Sequence, residues 1–449
     1  MASLWGTRRV AGRKSQFRAV KSMQAGPDLS IPTHFRCPIS LELMRDPVTL
    51  PTGITYDRQS IETWLDMGNG TCPVTNRTVA PGQDQLVPNH ALRRMIQDWC
   101  VAHREYGVER IPTPRIPATA AQVVEMLSEV AAAARRGDGA RCREVVSRIR
   151  TLGKESERNR RCVASNGAAA VLSAAFGAFA RDSNGARSAD AKEEILAAVT
   201  GMFPLGEEAC AHLGTPDSLR SIVWIAKCGG LAGRLNAVLV VKELVHTDRP
   251  IVDAVAGIDG MAEALVKLIR EPISPQATKA SLVAVFYLVS SDEKTASRFV
   301  DMGLVPLILE ILVESDKSMT EKALGVLDGV CSSKKGRQQA YGHALTMPVL
   351  VKKIFRVSEV ATEFSVSTLW KLCKNYGSEG EAEAEGERPG CLVEALQVGA
   401  FQKLLLLLQV GCGEATKEKA SELLKLLNVS RGRLECIDSA DFKALKRPF

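Results

Sequence analysis

The sequence predicts a mostly α chain in two parts: a small α+β module, then an all-α array of stacked helical repeats. Three observations carry that expectation. From Ala118 onward apolar residues fall at helical spacing, with almost no strand alternation. Within that stretch a glycine-centred turn followed by an apolar helix recurs, with Gly167, Gly214, Gly260, Gly303 and Gly399 spaced by 47, 46, 43 and 96 residues. Residues 31–105 read differently, with Pro, Cys and Trp in short mixed patterns.

The bulk numbers fit a multidomain chain. At 449 residues several domains are expected, and 45% apolar with 24% charged residues is ordinary composition. The net charge of +7 is mild for that length and argues against a nucleic-acid binder, which would concentrate its cations on one domain. Twelve scattered cysteines without a secretory signal read as reduced thiols of the cytosol or nucleus. No stretch approaches the ~18–20 uninterrupted apolar residues of a membrane span, so no stable membrane insertion is expected.

Taken in order, residues 1–30 carry Arg8, Arg9, Arg13, Lys14, Arg18 and Lys21 before the first acid, Asp28. A transit peptide, a nuclear address or a membrane-surface patch would look like this, and the preferred reading is a basic disordered tail. The module at 31–105 comes next. It contains two half-knuckles, CPIS at 37–40 and CPVT at 72–75, in which Ser40 and Thr75 stand where a zinc site would want thiolates. Two tetrahedral zincs ask for about eight Cys or His ligands, and hydroxyls are poor substitutes. Between 31 and 105 there are only Cys37, Cys72, Cys100, His34, His90 and His103, so no metal and no cofactor is expected.

Residues 106–117 form a linker in which Pro112, Pro114 and Pro117 exclude helix. The array then runs over 118–430. A second pattern recurs in phase with the glycine turns: RLNAVLVVKELV (234–245), KASLVAVFYLVS (279–290), EKALGVLDGVC (321–331), EFSVSTLWKLC (363–373) and EKASELLKLLN (418–428). A unit without glycine, ALTMPVLVKKI at 344–354, fills the double gap. An all-helical period near 40–47 residues is the mark of armadillo or HEAT repeats. An acidic insert at 378–390 reads as a solvated loop, and 431–449 as a C-terminal tail.

The stretch HFRCPISLELMRDPVTLPTGITYDRQSIETWL, followed by CPVTNRTV and LVPNHALRRMIQDW, resembles a U-box, the metal-free relative of the RING finger. Together with the array it resembles the plant U-box/armadillo ubiquitin ligases. The resemblance implies a RING-type E3 ubiquitin transferase with no nucleophile and no covalent intermediate. It would bind a ubiquitin-conjugating enzyme and ubiquitin through the U-box, and a protein substrate through the armadillo repeats. Ile39, Leu41, Trp64 and Pro73 would form the conjugating-enzyme groove. Glu42, Asp57, Arg58, Thr75 and Asn89 would supply the polar network replacing zinc. Many relatives place a basic donor-orienting side chain after the second loop; here that position holds Asn76, with Arg77 next to it. The implied setting is cytoplasmic, with the nucleus or the plasma-membrane surface also open, in plant stress or immune signalling; a homodimer is left open. The rival readings are weaker. A non-enzymatic armadillo scaffold or transport adaptor would line its groove with a Trp and Asn ladder, whereas the array holds only Trp224 and Trp370. A thiol-relay enzyme would want a cysteine beside a base, and no such pair is recognisable.

Overall fold

The structure is a computed structural model that describes residues 31–79, 86–111, 118–181, 188–375 and 390–442, with side chains up to 430. The basic tail, residues 112–117 of the Pro-rich linker and residues 378–389 of the acidic insert lie outside the described residues. The first half of the expected linker is part of the first unit instead, because Val108 and Ile111 are apolar and pack against its core. The chain divides into two compact units between Pro117 and Ala118.

In the first unit a three-stranded antiparallel sheet in the order β2-β1-β3 is made of β1 (Pro47–Thr49), β2 (Thr55–Asp57) and β3 (Val87–Pro88). Val48 pairs with Tyr56 on one side and Pro88 on the other. Two helices pack on it, α1 (Arg58–Asp66) and α2 (His90–Ala102). Their apolar faces bury Ile61 and Ile96 in a core with Phe35, Met44, Val48 and Tyr56. Both cysteines of the half-knuckles are fully buried in that core, which brings the two loops side by side.

The second unit opens on a helix pair, α3 (Ala120–Arg136) and α4 (Gly139–Glu155). Six triplets follow among the described residues. The first is α5 (Glu157–Ser165), α6 (Ala168–Arg181) and α7 (Ala189–Val199), the second α8 (Glu207–Leu213), α9 (Pro216–Cys228) and α10 (Leu231–Leu244). The third is α11 (Arg249–Gly257), α12 (Met261–Arg270) and α13 (Pro275–Ser291), the fourth α14 (Glu293–Asp301), α15 (Leu304–Glu314) and α16 (Lys317–Val330). The fifth is α17 (Lys334–Tyr341), α18 (Thr346–Lys353) and α19 (Glu359–Asn375), the sixth α20 (Cys391–Gln397), α21 (Ala400–Val410) and α22 (Glu414–Phe442).

The third helices form a continuous column, α4 on α7, then α10, α13, α16, α19 and α22, each packed on the next. A short helix cannot bury its apolar face alone, so stacking supplies the core. Small residues set the spacing: Gly325 of α16 lies between Phe286 and Phe364, whose rings would crowd an added Cβ at 3.2–3.3 Å. Ion pairs tie the column, including Arg150 to Glu194 (2.7 Å), Lys279 to Asp316 (2.9 Å) and Lys371 to Asp328 (2.9 Å).

Four of the five repeat glycines occupy the left-handed region, Gly167, Gly260, Gly303 and Gly399, with φ between 74° and 83°. Gly214 does not; its φ is −76°, because the next helix starts from Pro216, whose ring already presets a helical φ. The last helix also runs on to Phe442, past residue 430 where the sequence reading ended the array.

Candidate functional site

The two half-knuckles have the same backbone. In the first, the Leu41 N–H donates to the Cys37 carbonyl (2.8 Å) and the Cys37 N–H to the Glu42 carbonyl (2.8 Å). In the second, the Asn76 N–H donates to the Cys72 carbonyl (2.9 Å) and the Cys72 N–H to the Arg77 carbonyl (2.9 Å). The fifth residue of each turn is left-handed, with φ 59° at Leu41 and 53° at Asn76. That requirement gives a local reason for asparagine at 76, since its short polar side chain tolerates this region better than most.

Where zinc would bind thiolates, each sulfur accepts hydrogen bonds. Cys37 Sγ accepts the Asp57 N–H at 3.3 Å. Cys72 Sγ accepts from the Tyr56 hydroxyl (3.0 Å) and from Thr52 Oγ1 (3.4 Å), with the Thr75 hydroxyl beside it. The Tyr56 oxygen in turn accepts the Val74 N–H at 3.3 Å, which leaves its proton for the sulfur. Burial pushes the Cys72 thiol up, but the donors from Thr52, Thr75 and Tyr56 outweigh it and bring it down to about 6. Burial, and then the shared hydrogen bond with Cys72, push the Tyr56 hydroxyl well above its ordinary value. Among the described residues no three His, Cys, Asp or Glu side chains converge on a metal position.

A second cluster holds the first loop to both helices. Asp46 accepts from Arg58 Nε of α1 at 2.7 Å and from Arg93 of α2. Asp57 Oδ1 accepts the backbone N–H groups of Arg45 (2.8 Å) and Asp46 (2.9 Å). Asn89 caps α2 through the Leu92 N–H (3.0 Å), and its amide reaches Thr49 and Thr55 across β1 and β2 (3.4 Å each).

Of the five residues assigned to the network from sequence, Asp57, Arg58, Thr75 and Asn89 lie in these clusters. Glu42 does not: its side chain is exposed, and what it contributes is its carbonyl, because it stands at the closing pair of the turn. Asp46, Arg93, Tyr56 and Thr52 went unread. They are ordinary residue types whose partners lie 12, 47, 16 and 20 positions away, which no local spacing reveals. Nor is every donor satisfied, since Arg58 Nη1 and Arg93 Nε are buried without a hydrogen bond.

Beside these clusters lies the apolar surface. Ile39 and Trp64 are half-buried against the core, and Pro73 is half-buried in the second loop. The Trp64 indole N–H donates to the Thr71 carbonyl at 2.8 Å, tying α1 to the second knuckle. Leu41 is 70% exposed, and Val74, absent from the sequence reading, is 54% exposed. Asn76 and Arg77 are exposed next to Val74. A rigid pair of turns thus carries aliphatic side chains outward, the arrangement of a docking surface.

A hydrogen-bonded cross-brace of this kind, followed by a three-helix repeat array, defines a U-box protein with armadillo repeats. The U-box family profile matches residues 31–105, and the profile of the plant U-box protein ARM repeat region matches 122–447. The chain is 43% identical to U-box domain-containing protein 21 of Arabidopsis thaliana, with 100% of each covered. It is 42% identical to U-box domain-containing protein 20, covering 97% of this chain and 96% of that one. It is 32% identical to E3 ubiquitin-protein ligase PUB23 of the same plant, covering 89% of this chain and 93% of the relative. The chain belongs to the plant U-box/armadillo-repeat family, and it is a RING-type E3 ubiquitin transferase.

Proposed function

We propose that the U-box recruits a ubiquitin-charged conjugating enzyme, that the armadillo array holds a protein substrate, and that a substrate lysine then attacks the thioester directly. The observation that carries this reading is the outward aliphatic surface of Ile39, Leu41, Pro73 and Val74 on two hydrogen-bonded turns, with Trp64 locked beside them. Such a surface offers hydrophobic anchors and no nucleophile. Cys37 and Cys72 are both fully buried, so neither sulfur presents itself to an incoming thioester. Catalysis then rests on proximity and on restraining the donor ubiquitin. Asn76 and Arg77 are the donor-orienting candidates, with Arg77 the charged partner and Asn76 a neutral donor. We place this activity in the cytoplasm of a plant cell, in stress or immune signalling.

The test is reconstituted ubiquitin transfer with wild type and Ile39→Ala. Loss of polyubiquitin with unchanged circular dichroism supports the surface; full activity in the variant sinks it. For the setting, cell fractionation that found the protein solely in organelles would contradict the cytoplasmic placement.

A further inference from the structure

The turn that ends the second helix of the fifth triplet gathers cations for which no ion pair is formed among the described residues, although Glu359 opens the next helix. Lys352 and Lys353 close α18, and Arg356 lies on the turn leading to α19. Lys403 of α21 reaches the same place, its Nζ donating to the carbonyls of Val351 (2.6 Å), Ile354 (3.3 Å) and Lys352 (3.4 Å). A helix C-terminus carries roughly half a negative charge. Three carbonyls and half a charge account for Lys403; they do not account for three further cations.

Lys353 is the sharpest of these. The residue is 9% exposed, and among the described residues no hydrogen bond or ion pair reaches its ammonium. Lys352 and Arg356 have no side-chain partner either, although both are exposed. A lysine that buries its stem and sends its ammonium to water is common. Two more cations at the same helix end, Lys352 and Arg356, are not explained that way. Burial, and then the charges of Lys352 and Arg356, push the Lys353 ammonium down from its ordinary value. Burial and then Arg356 do the same to Lys403. Between them Phe355 is held at φ 66°, its N–H donating to Thr362 Oγ1 at 3.1 Å, so the turn is fixed in a conformation that side chains rarely adopt.

We propose that Lys352, Lys353 and Arg356, with Lys403 beneath them, form a binding site for a phosphomonoester. A carboxylate would neutralise one cation of three. A phosphomonoester brings close to two negative charges and three acceptor oxygens, and the planar guanidinium of Arg356 matches two of those oxygens. That chemistry is shared by a phosphorylated side chain of a partner protein and by a small free phosphate ester.

Calorimetric titration of the full-length protein at constant ionic strength in chloride tests the site. The probes are a short glycine-rich peptide carrying one phosphoserine, the same peptide unphosphorylated, and inorganic phosphate. We expect saturable one-site binding of a phosphate-bearing probe and none of the unphosphorylated peptide. Lys352→Gln and Arg356→Gln, both at exposed positions, should each weaken it at least tenfold. Lys279→Gln, which removes a cation elsewhere in the array, should leave it unchanged. Tighter binding of the phosphopeptide than of inorganic phosphate assigns the site to a phosphorylated protein, and equal affinities assign it to a free ester. Absence of saturable binding, or binding undiminished in Lys352→Gln and Arg356→Gln, overturns the proposal. No ubiquitin transfer enters the readout, so this result stands apart from the ligase reading.

Discussion

Asp46→Ala is the perturbation that weighs the polar cluster standing in for metal. The carboxylate of Asp46 is 20% exposed, and it accepts from Arg58 and Arg93, whose side chains are 16% and 11% exposed. Hydrogen bonds to charged groups contribute about 1.5–3 kcal/mol each, most when the partner stays buried after truncation. Arg58 keeps a distant contact to Glu62 at 3.7 Å, whereas Arg93 retains only His90, at 3.2 Å from Nη1. Residual exposure lets water recover part of the loss, so the expected destabilisation is roughly 3 kcal/mol. For a unit of this size that corresponds to a fall in Tm of roughly 10–20 °C. The array is a compact unit of its own, so the readout should be amide exchange of peptides covering residues 47–57 and 90–102 during a urea titration. Glu42→Ala is the control and should cost under about 0.5 kcal/mol, because its side chain is exposed and the turn uses only its carbonyl. If Asp46→Ala were no more damaging than Glu42→Ala, the cluster would not be holding the loop to the helices.

Three more predictions follow from named contacts. The Cys72 thiol lies at about 6 in the folded chain against 9.0 when unperturbed, so its thiolate adds stability that is fully present above pH 9 and is lost as pH falls towards 6. Urea midpoints of the first unit should therefore rise from pH 6 to 8.5, and Cys72→Ser should flatten that rise; an equal slope in both proteins contradicts the hydrogen-bonded thiolate. Trp64→Ala should abolish conjugating-enzyme binding and also loosen the second knuckle, since it removes the bond to Thr71, and chemical shifts of residues 71–79 measure the second effect. Gly303→Ala places a Cβ at φ 76° and should destabilise the array by about 1–2 kcal/mol, whereas Gly153→Ala, inside α4 with nothing within 4 Å, should stabilise it by about 0.5–1 kcal/mol. Thermal melts that ranked the two substitutions the other way would refute the repeat geometry.

What could be read from the sequence was whatever repeats or sits close together along the chain. The apolar runs at 234–245, 279–290, 321–331, 363–373 and 418–428 are the third helices of successive triplets, and their shared period follows from a column in which every member meets the same neighbours. The two CP half-knuckles were legible because each turn closes within six residues. The Asp46–Arg58–Arg93 cluster was not, since three common residue types meet only when the sheet and both helices have packed. Gly214 stands at the turn its spacing predicts, and Pro216 removes the need for a left-handed residue there. Glu42 looked like a network member by its charge, while the turn uses its carbonyl. Three of the cations, Lys352, Lys353 and Arg356, stand together in the run VKKIFR, but Lys403 reaches them from α21, and no local spacing shows that meeting.

The central claim is that the aliphatic surface of the U-box engages a charged conjugating enzyme and speeds release of its ubiquitin. Single-turnover discharge onto free lysine measures this without any substrate. The account predicts that the full chain accelerates discharge and that Ile39→Ala returns the rate to that of the conjugating enzyme alone, with Cys72→Ser still active wherever the fold survives. Acceleration by Ile39→Ala equal to wild type, or a thioester trapped on a cysteine of this chain, would contradict it.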